Sequence, residues 1–292
     1  MEPYYYDSAL VSKRIHAIIT AHATPQALNW LQQQLQLLEE AKTTQRFNIT
    51  FTAMPRFTGK QVISDTHIAE ANNFFIYGYT LDRLARIWWL LQLPSDDRSR
   101  YVAAIEDLFS AADMNEQITL YGALPLLAYP EEWKLCTAEG VRSNIGGVLE
   151  AIMVHNPYPA QYLDKPAWNQ LVMKAIFTDK PVHLITGLDE RANPELVQIL
   201  RDYAHERWAA GRKINPMLWR LIAPFIDNDI LPDINRLRAS DQVVDKEAAA
   251  LACAQTGFGP AKALLLQSPE LAAAIANESL TWVTVAEKAS SL

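Results

Sequence analysis

Residues 193–222 read NPELVQILRDYAHERWAAGRKINPMLWRLI. Asn193-Pro194 and Asn215-Pro216 each place a capping amide before a proline, whose fixed φ suits the first helical position. Gly211 lies between the two pairs and readily adopts the left-handed conformation that ends a helix. Between Pro194 and Gly211, apolar residues recur at steps of three and four. The stretch therefore predicts two helices joined by a short turn.

Arg207 lies on the apolar face of the first of these predicted helices, together with Leu196 and Leu200. A guanidinium keeps its charge in a protein, so a core-facing arginine must meet a carboxylate or carbonyl oxygens, or extend to the surface. Asp189 and Asp227 are the candidate partners for a buried ion pair that fixes how helices meet, which is the commoner arrangement. The alternative is that Arg207 faces a cleft and binds the carboxylate or phosphate of a ligand.

Asp202 and His205 stand three residues apart on the same predicted helix, close enough to share a metal or to act as an oriented base. No HExxH-like pair accompanies them, and the other histidines are scattered along the chain. The commoner explanation of this spacing is that the aspartate and the histidine both lie on a solvent-exposed helix face without a shared function. The sequence also lacks a glycine-rich phosphate loop, a GxSxG elbow and a plausible Cys/His dyad, so we expect no metal and no cofactor.

The same three- and four-residue periodicity runs through most of the chain and predicts an all-α, layered helical bundle. Helices are predicted from Thr24-Pro25 to about Ala41, from about Thr80 toward Pro94, and after Ser95 as a cap. Residues 47–52 alternate like a strand but have no evident partner, so they are interpreted as an extended loop or a poor helix. Gly140 is expected to separate two helices.

After about Asn228 the composition shifts toward alanine and leucine. We therefore predict a helical main domain over residues 1–227 and an alanine-rich helical region over 228–292 that packs on it, or a single domain comprising both. Short helices in the second region are typical of a HEAT-like helical hairpin. Gly146-Gly147 falls inside a helical pattern, where close helix packing is the favoured explanation.

Charge and composition disfavour several classes of protein, although a local basic patch is compatible with them. The formal net charge of −7 provides no general attraction for nucleic acid or anionic membranes, so neither is an expected partner. Cys136 and Cys253 are far apart and lack metal-ligand spacing. The most apolar run, 87–91, is far shorter than the roughly 20 residues of a membrane span, and no secretory signal is visible. We expect a cytoplasmic protein without membrane insertion.

Polar side chains are dense at the predicted helix ends and turns of the middle region. Many will be helix caps, but together they suggest one polar pocket walled by Tyr158, Trp168, Trp208 and Trp219. The candidate ligand-binding residues are Arg142, Asn144, Asn169, Lys174, Asp189, Arg191, Asp202, His205, Arg207 and Trp208.

Four long motifs follow one another in this middle region: GVRSN at 140–144, NPYPAQYLDKPAWNQLVMKAIF at 156–177, GLDERANPEL at 187–196 and DYAHERWAAGRKINPMLWRLIAPF at 202–225. Together with MPRFTGK, YTLDRLARIWWLL and LPLLAYPEEW upstream, they resemble the EboA family of metabolite-traffic proteins. The resemblance is close from about residue 138 to 225. The glycine pair 146–147 replaces bulkier residues that the family pattern would have there.

The resemblance implies a pathway more than a reaction. It points to gene clusters that make or export secondary metabolites, alongside a prenyltransferase-like membrane protein and sugar-phosphate or isomerase-like enzymes. The first hypothesis is an accessory protein that binds a small metabolite or docks on partner proteins of the pathway, without catalysis of its own. The alternative is an acid/base enzyme acting on an anionic small molecule such as a sugar phosphate or cyclitol, with Asp202, His205 or Glu206 as the acid or base. The third hypothesis is a helical scaffold whose alanine-rich end binds other proteins.

Overall fold

The computed structural model describes residues 6–41, 43–71 and 74–290, and nearly all regular structure there is helical, which confirms the all-α prediction. No helix in this part of the chain combines the length and the apolar character needed to cross a membrane. The α-helices are α1 (Ser8–His22), α2 (Pro25–Ala41), α3 (Thr44–Thr58), α4 (Leu81–Leu90), α5 (Arg98–Ala111), α6 (Met114–Ala123), α7 (Lys134–Val141), α8 (Gly146–Met153), α9 (Tyr158–Tyr162), α10 (Lys165–Phe177), α11 (Pro194–Ala209), α12 (Leu218–Ile222), α13 (Leu231–Arg238), α14 (Val243–Gln255), α15 (Gly259–Leu265), α16 (Pro269–Ala276) and α17 (Trp282–Ser290).

The only sheet in the described residues is a small antiparallel pair, β1 (His67–Ile68) and β2 (Phe74–Phe75). His67 faces Phe75 and Ile68 faces Phe74 in the register. Two residues per strand contribute few backbone hydrogen bonds, so the pair is a local connection between helices and not an independent layer.

The chain divides into two compact units, Met1–Asp164 and Lys165–Leu292. The compositional boundary that we placed after residue 227 lies inside the second unit. There the alanine-rich α14 packs against α12, which precedes that boundary, and against α13, which follows it. The HEAT-like pairing of helices in this region stays a prediction.

In the first unit, α3 packs against α4 and α2. Residues 47–52, which we interpreted as an extended loop or a poor helix, lie within α3. Phe47, Thr50, Phe51 and Met54 are all buried, which is the i, i+3, i+4, i+7 spacing of a helix face. A window of six residues was too short to separate this period from the alternation of a strand. Trp89 of α4 donates its indole N–H to the carbonyl oxygen of Phe47 at 3.0 Å.

Arg86 of α4 is buried in the first unit at 2% exposure. Its Nη1 lies 3.5 Å from Asp82, and its Nη2 lies 3.4 Å from Glu116 on α6. Its Nε donates to the carbonyl oxygen of Phe51 on α3 at 3.0 Å. Burial lowers the pKa of Arg86, while the two carboxylates oppose that effect. One guanidinium thus connects three helices, because a buried charge must be matched on every side.

Two local predictions need correction. The cap of α5 is Asp97, whose Oδ1 accepts from the backbone N–H of Arg100 at 3.1 Å, and not Ser95. Gly140 does not separate two helices but lies within α7, where a Cβ atom would approach the Tyr121 ring to 2.6 Å. A glycine is needed there for close packing. Gly147 of α8 has a similar role, since a Cβ there would lie 2.6 Å from the Ile118 side chain, as the packing interpretation predicts.

The second unit is arranged around α14, which contacts α12, α13, α15, α16 and α17. Its residues 247–253 are all buried, and four of them are alanines. Small side chains let several helices approach one central helix closely, which explains the alanine content of α14.

Replacing Arg86 with methionine should leave Asp82 and Glu116 as uncompensated buried carboxylates and lower the free energy of unfolding by about 3–5 kcal/mol. The matched control is Arg98→Met, because Arg98 forms a solvent-exposed pair with Glu132, and its loss should change the free energy of unfolding little. Urea denaturation followed by tryptophan fluorescence measures both variants. Equal, small losses would show that the Arg86 network contributes no more than a surface pair.

Candidate functional site

The chain reverses direction sharply after α11, and this reversal shapes the candidate site. Asn193 caps the start of α11 by accepting the N–H of Leu196 at 3.0 Å, as the sequence predicts. At the other end Gly211 has a φ of +64°. The Gly211 N–H donates to the carbonyl oxygen of Trp208 at 3.1 Å, and the Arg212 N–H donates to that of Arg207 at 2.9 Å. These two bonds are the glycine-terminated Schellman arrangement, so Gly211 ends the helix as predicted.

A large open cleft of about 1050 Å³ lies beside this reversal, entirely within the second unit. Its walls are the ends of α10 and α11, the loops that follow them, the turn between α13 and α14, and part of α17. Five basic and three acidic side chains line it, in a chain whose net charge is −7. The basic residues are Lys180, Arg207, Arg212, Lys213 and Arg236, and the acidic ones are Asp179, Asp241 and Asp245.

Trp208 lines the cleft and is the centre of an aromatic stack. Its ring centroid lies 5.5 Å from that of the buried Trp219, with 23° between the ring planes. The His205 ring stacks on it at 5.7 Å and 24°. The guanidinium carbon of Arg236 lies 4.3 Å from the Trp208 ring centroid, within range of a cation–π interaction. These three contacts restrain the indole before any ligand binds.

His205 is held in place by Asp233 on α13. The distance from His205 Nε2 to Asp233 Oδ1 is 2.7 Å. The other carboxylate oxygen accepts from Arg201 Nε at 3.1 Å, and Arg201 Nη2 donates to the carbonyl oxygen of Asp229. Asp233 is buried while the His205 side chain is half exposed. The network therefore couples α11 to α13 and orients the ring that stacks on Trp208.

Arg207 does not form the ion pair that the sequence suggested with Asp189 or Asp227. Its Nε instead donates to the carbonyl oxygen of Lys213 at 2.8 Å, so Arg207 meets a carbonyl oxygen, the other kind of partner that the sequence allowed. Its guanidinium carbon lies 5.8 Å from the Tyr203 ring centroid. The prediction that Asp189 or Asp227 pairs with Arg207 was wrong, because both carboxylates accept hydrogen bonds from other groups. Arg207 thus holds the loop after α11 in place through this hydrogen bond, and it also lines the cleft.

Asp189 is paired with Arg220 in two hydrogen bonds, of 2.7 Å from Nε and 2.6 Å from Nη2. This fork is the bidentate geometry that guanidinium and carboxylate favour. Asp227 instead caps the turn before α13, where its Oδ1 accepts from the N–H groups of Asp229 and Ile230. Neither aspartate is among the described residues that line the cleft.

The other predicted ligand-binding residues of the second unit are spread over separate contacts. Asn169 and the cap residue Asn193 exchange side-chain hydrogen bonds, the shorter of them 2.9 Å. The Arg191 guanidinium lies 4.9 Å from the ring centroid of Trp168. Lys174 lies near the end of α10, where its carbonyl oxygen accepts from Thr178. These are contacts that stabilise helix ends and the core.

Asp202 does not pair with His205, although the two stand three residues apart. Its Oδ1 accepts from Gln198 at 2.8 Å on the exposed side of α11, so the predicted acid–histidine pair is replaced by His205 with Asp233. The carboxylate was misidentified because Asp233 comes from α13, and no spacing within α11 could reveal it. Arg142 and Asn144 belong to the first unit.

Among the four aromatic residues that were predicted to wall one pocket, Trp208 lines the cleft. Tyr158 lines a smaller cavity of about 240 Å³ in the first unit. The basic cleft residues that the candidate set omitted are Arg212, Lys213, Arg236 and Lys180. The first two directly follow the predicted helix stop at Gly211, which was a usable signal. Arg236 lies on a different helix and had none.

His183 lines the cleft next to the basic residues. Partial burial lowers the pKa of its imidazole, and the nearby Arg220 charge lowers it further, against a smaller opposite effect of Glu287. At neutral pH the ring is therefore uncharged and can donate or accept a hydrogen bond. In the residues that the structure describes, no group of three or more His, Cys, Asp and Glu side chains could hold a metal ion.

A family model described as "Metabolite traffic protein EboA" matches residues 11–223, which is more than half of the chain. Comparison with curated proteins and with solved structures gave no significant match. The matched range contains α11, Gly211 and the basic loop after it, whereas Arg236 and the turn between α13 and α14 lie beyond it.

His183→Gln should change the pH dependence of stability in a defined direction. Because the folded chain holds the pKa of His183 below its unfolded value of 6.5, the unfolded state binds a proton first as the pH falls below about 6.5. The wild type therefore loses stability in that window, and the variant should lose less. Urea midpoints at pH 8 and pH 5.5 test this, and a difference between the proteins that is identical at both pH values would contradict it.

Proposed function

Because this chain belongs to the EboA family, whose description is metabolite traffic, we propose that its second unit binds a small anionic metabolite in the cleft beside α11 and does so without catalysis. The observation that carries the proposal is the excess of basic side chains in the cleft of an acidic protein. Five basic against three acidic side chains leave this concave site with an excess of positive charge in a chain of net charge −7, and such an excess is expected where an anion binds.

The local electrostatics favour an anionic ligand. Arg212 and Lys213 lie on the exposed loop after Gly211, so they can reorient toward a ligand without leaving a buried partner. A guanidinium offers several N–H donors in a planar fork, and an ammonium offers a compact positive charge. Field lines from such groups are focused in a concave site with apolar walls, which strengthens attraction relative to an open surface.

The size of the cleft fits a metabolite. Its volume of about 1050 Å³ lies just above the roughly 300–1000 Å³ that is common for small-molecule sites, so a metabolite fits within it. Tyr203, Ile214 and Met217 contribute apolar surface beside the charged residues. A ligand with both an anionic group and an apolar part uses both kinds of surface.

The acid/base alternative has less support at this cleft. Its reactive groups are Asp202, His205 and Glu206, and none of them is among the described residues that line the cleft. Asp202 is engaged by Gln198, and His205 by Asp233. Docking on other proteins of a pathway, a prenyltransferase-like membrane protein among them, stays a prediction, as do the cytoplasmic location and the scaffold role of the alanine-rich end.

The double substitution Arg212→Gln/Lys213→Gln should weaken binding of inorganic phosphate by about tenfold or more, because two charge-assisted contacts are lost. The helix-ending hydrogen bond of residue 212 comes from its backbone, so the fold is retained. Isothermal titration calorimetry of the full chain measures the affinity. Low ionic strength is used because surface charges are least screened there.

The matched control is Lys246→Gln/Lys262→Gln, which removes the same charge from exposed positions of the second unit outside the cleft. It should bind phosphate as the wild type does. Native mass spectrometry of the wild type purified from its own host should also show an additional mass that the first double variant lacks. No phosphate binding by the wild type, or equal weakening in both variants, would overturn the proposal.

A further inference from the structure

The structure carries the proposed function one step further, to the class of ligand. We propose that the anionic ligand carries a flat aromatic or conjugated ring beside its charged group, and that Trp208 and Arg236 bind the ring and the charge together. The inference rests on the proposed function, since it assumes that the cleft is an anion site. It adds a specificity that basic residues alone would not provide.

Trp208 has the properties of a stacking platform. Its indole is backed by the buried Trp219 at 5.5 Å, and the His205 ring adjoins it at 5.7 Å. His205 is in turn fixed by Asp233. Arg236 lies over this indole and is exposed, so a flat ligand ring extends the stack on the outer face of the guanidinium. Because the stack is already restrained, little conformational freedom is lost and more of the stacking energy contributes to affinity.

Arg236 provides a planar cation at the same place. Its guanidinium lies 4.3 Å from the Trp208 ring centroid, and its side chain is exposed to the cleft. A guanidinium that stacks by its face keeps its N–H edges available for a carboxylate or phosphate. Among the described residues Arg236 has no carboxylate partner within salt-bridge distance. The edges are therefore available to a ligand.

A second arginine–aromatic pair lines the cleft, and its contacts differ. Arg207 lies 5.8 Å from the Tyr203 ring centroid, but its Nε donates to the carbonyl oxygen of Lys213. Arg207 is thus partly used in bracing the loop, whereas Arg236 is not. The pair of Trp208 and Arg236 is where a flat surface and an available planar cation coincide, and flat organic anions match both features.

Three probes separate a flat ring from apolar bulk: inorganic phosphate, phenyl phosphate and cyclohexyl phosphate. The full-length wild type should bind phenyl phosphate about tenfold more tightly than inorganic phosphate, because stacking adds to the charge contact. Cyclohexyl phosphate has similar size and charge but no flat π-face, so its affinity should stay within a few-fold of that of inorganic phosphate. Isothermal titration calorimetry measures all three dissociation constants.

Arg236→Lys retains the charge but removes the planar fork. It should reduce the preference for phenyl over inorganic phosphate to about twofold or less, and it should also weaken inorganic phosphate to a smaller extent, because an ammonium makes the charge contact without the planar fork. The matched control is Arg238→Lys on the same helix, because Arg238 contacts Asn235 and Gln267 and lies outside the cleft. It should retain the wild-type preference. Trp208→Leu, checked for folding by circular dichroism, should also remove the preference.

The outcomes distinguish this inference from the function on which it rests. If inorganic phosphate does not bind the wild type, the proposed function fails and the inference fails with it. If all three phosphates bind equally, or cyclohexyl phosphate matches phenyl phosphate, the anion site stands and the flat-ring specificity is overturned. If Arg236→Lys weakens all three probes by the same factor, Arg236 contacts only the phosphate group and takes no part in binding the ring, and the inference is again wrong.

Discussion

The left-handed turn at Gly211 is the constraint on which the candidate site depends. With φ at +64°, Gly211 lets two backbone hydrogen bonds close the end of α11 and sends the chain back across it. Most other residues would be strained in that conformation. The reversal places Trp208 on the last turn of the helix beside the basic loop that follows. Arg207 then holds the loop by its bond to the Lys213 carbonyl, so the cleft wall is defined by backbone geometry and one side chain.

Arginines serve two different purposes in this protein, and burial separates them. Arg86 in the first unit is enclosed by Asp82 and Glu116, and such a network satisfies its own charge. The cleft arginines of the second unit are at least partly exposed, and Arg212 and Arg236 have no carboxylate partner among the described residues. A buried charge that is matched internally avoids the cost of an unpaired charge in the core and holds the helices that carry its partners together. A charge that is left accessible in a concave site is available for an external anion.

The cleft combines two parts of the chain that differ in their relation to the family. The basic loop and Trp208 lie within residues 11–223, the range that the family model matches. Arg236 and the acidic side chains Asp241 and Asp245 lie beyond that range. One wall of the cleft therefore belongs to the family region, and the facing wall is provided by α13 and the turn that follows it. Asp233 on α13, beyond the family region, also positions His205 on α11, which lies within that region.

The amino-acid sequence by itself determined the features that arise from neighbouring residues. Apolar periodicity predicted the all-α class, Asn193-Pro194 predicted the start of α11, and Gly211 predicted its end, because caps and helix stops depend on local hydrogen bonds and φ preferences. The long motifs of the middle region were sufficient to indicate the family. Tertiary structure alone decided which charged groups meet. It paired Asp189 with Arg220 and His205 with Asp233, and it placed Arg236 over Trp208, each across separate elements. Spacing along the chain carries no information about such contacts, since they depend on how helices distant in sequence pack together.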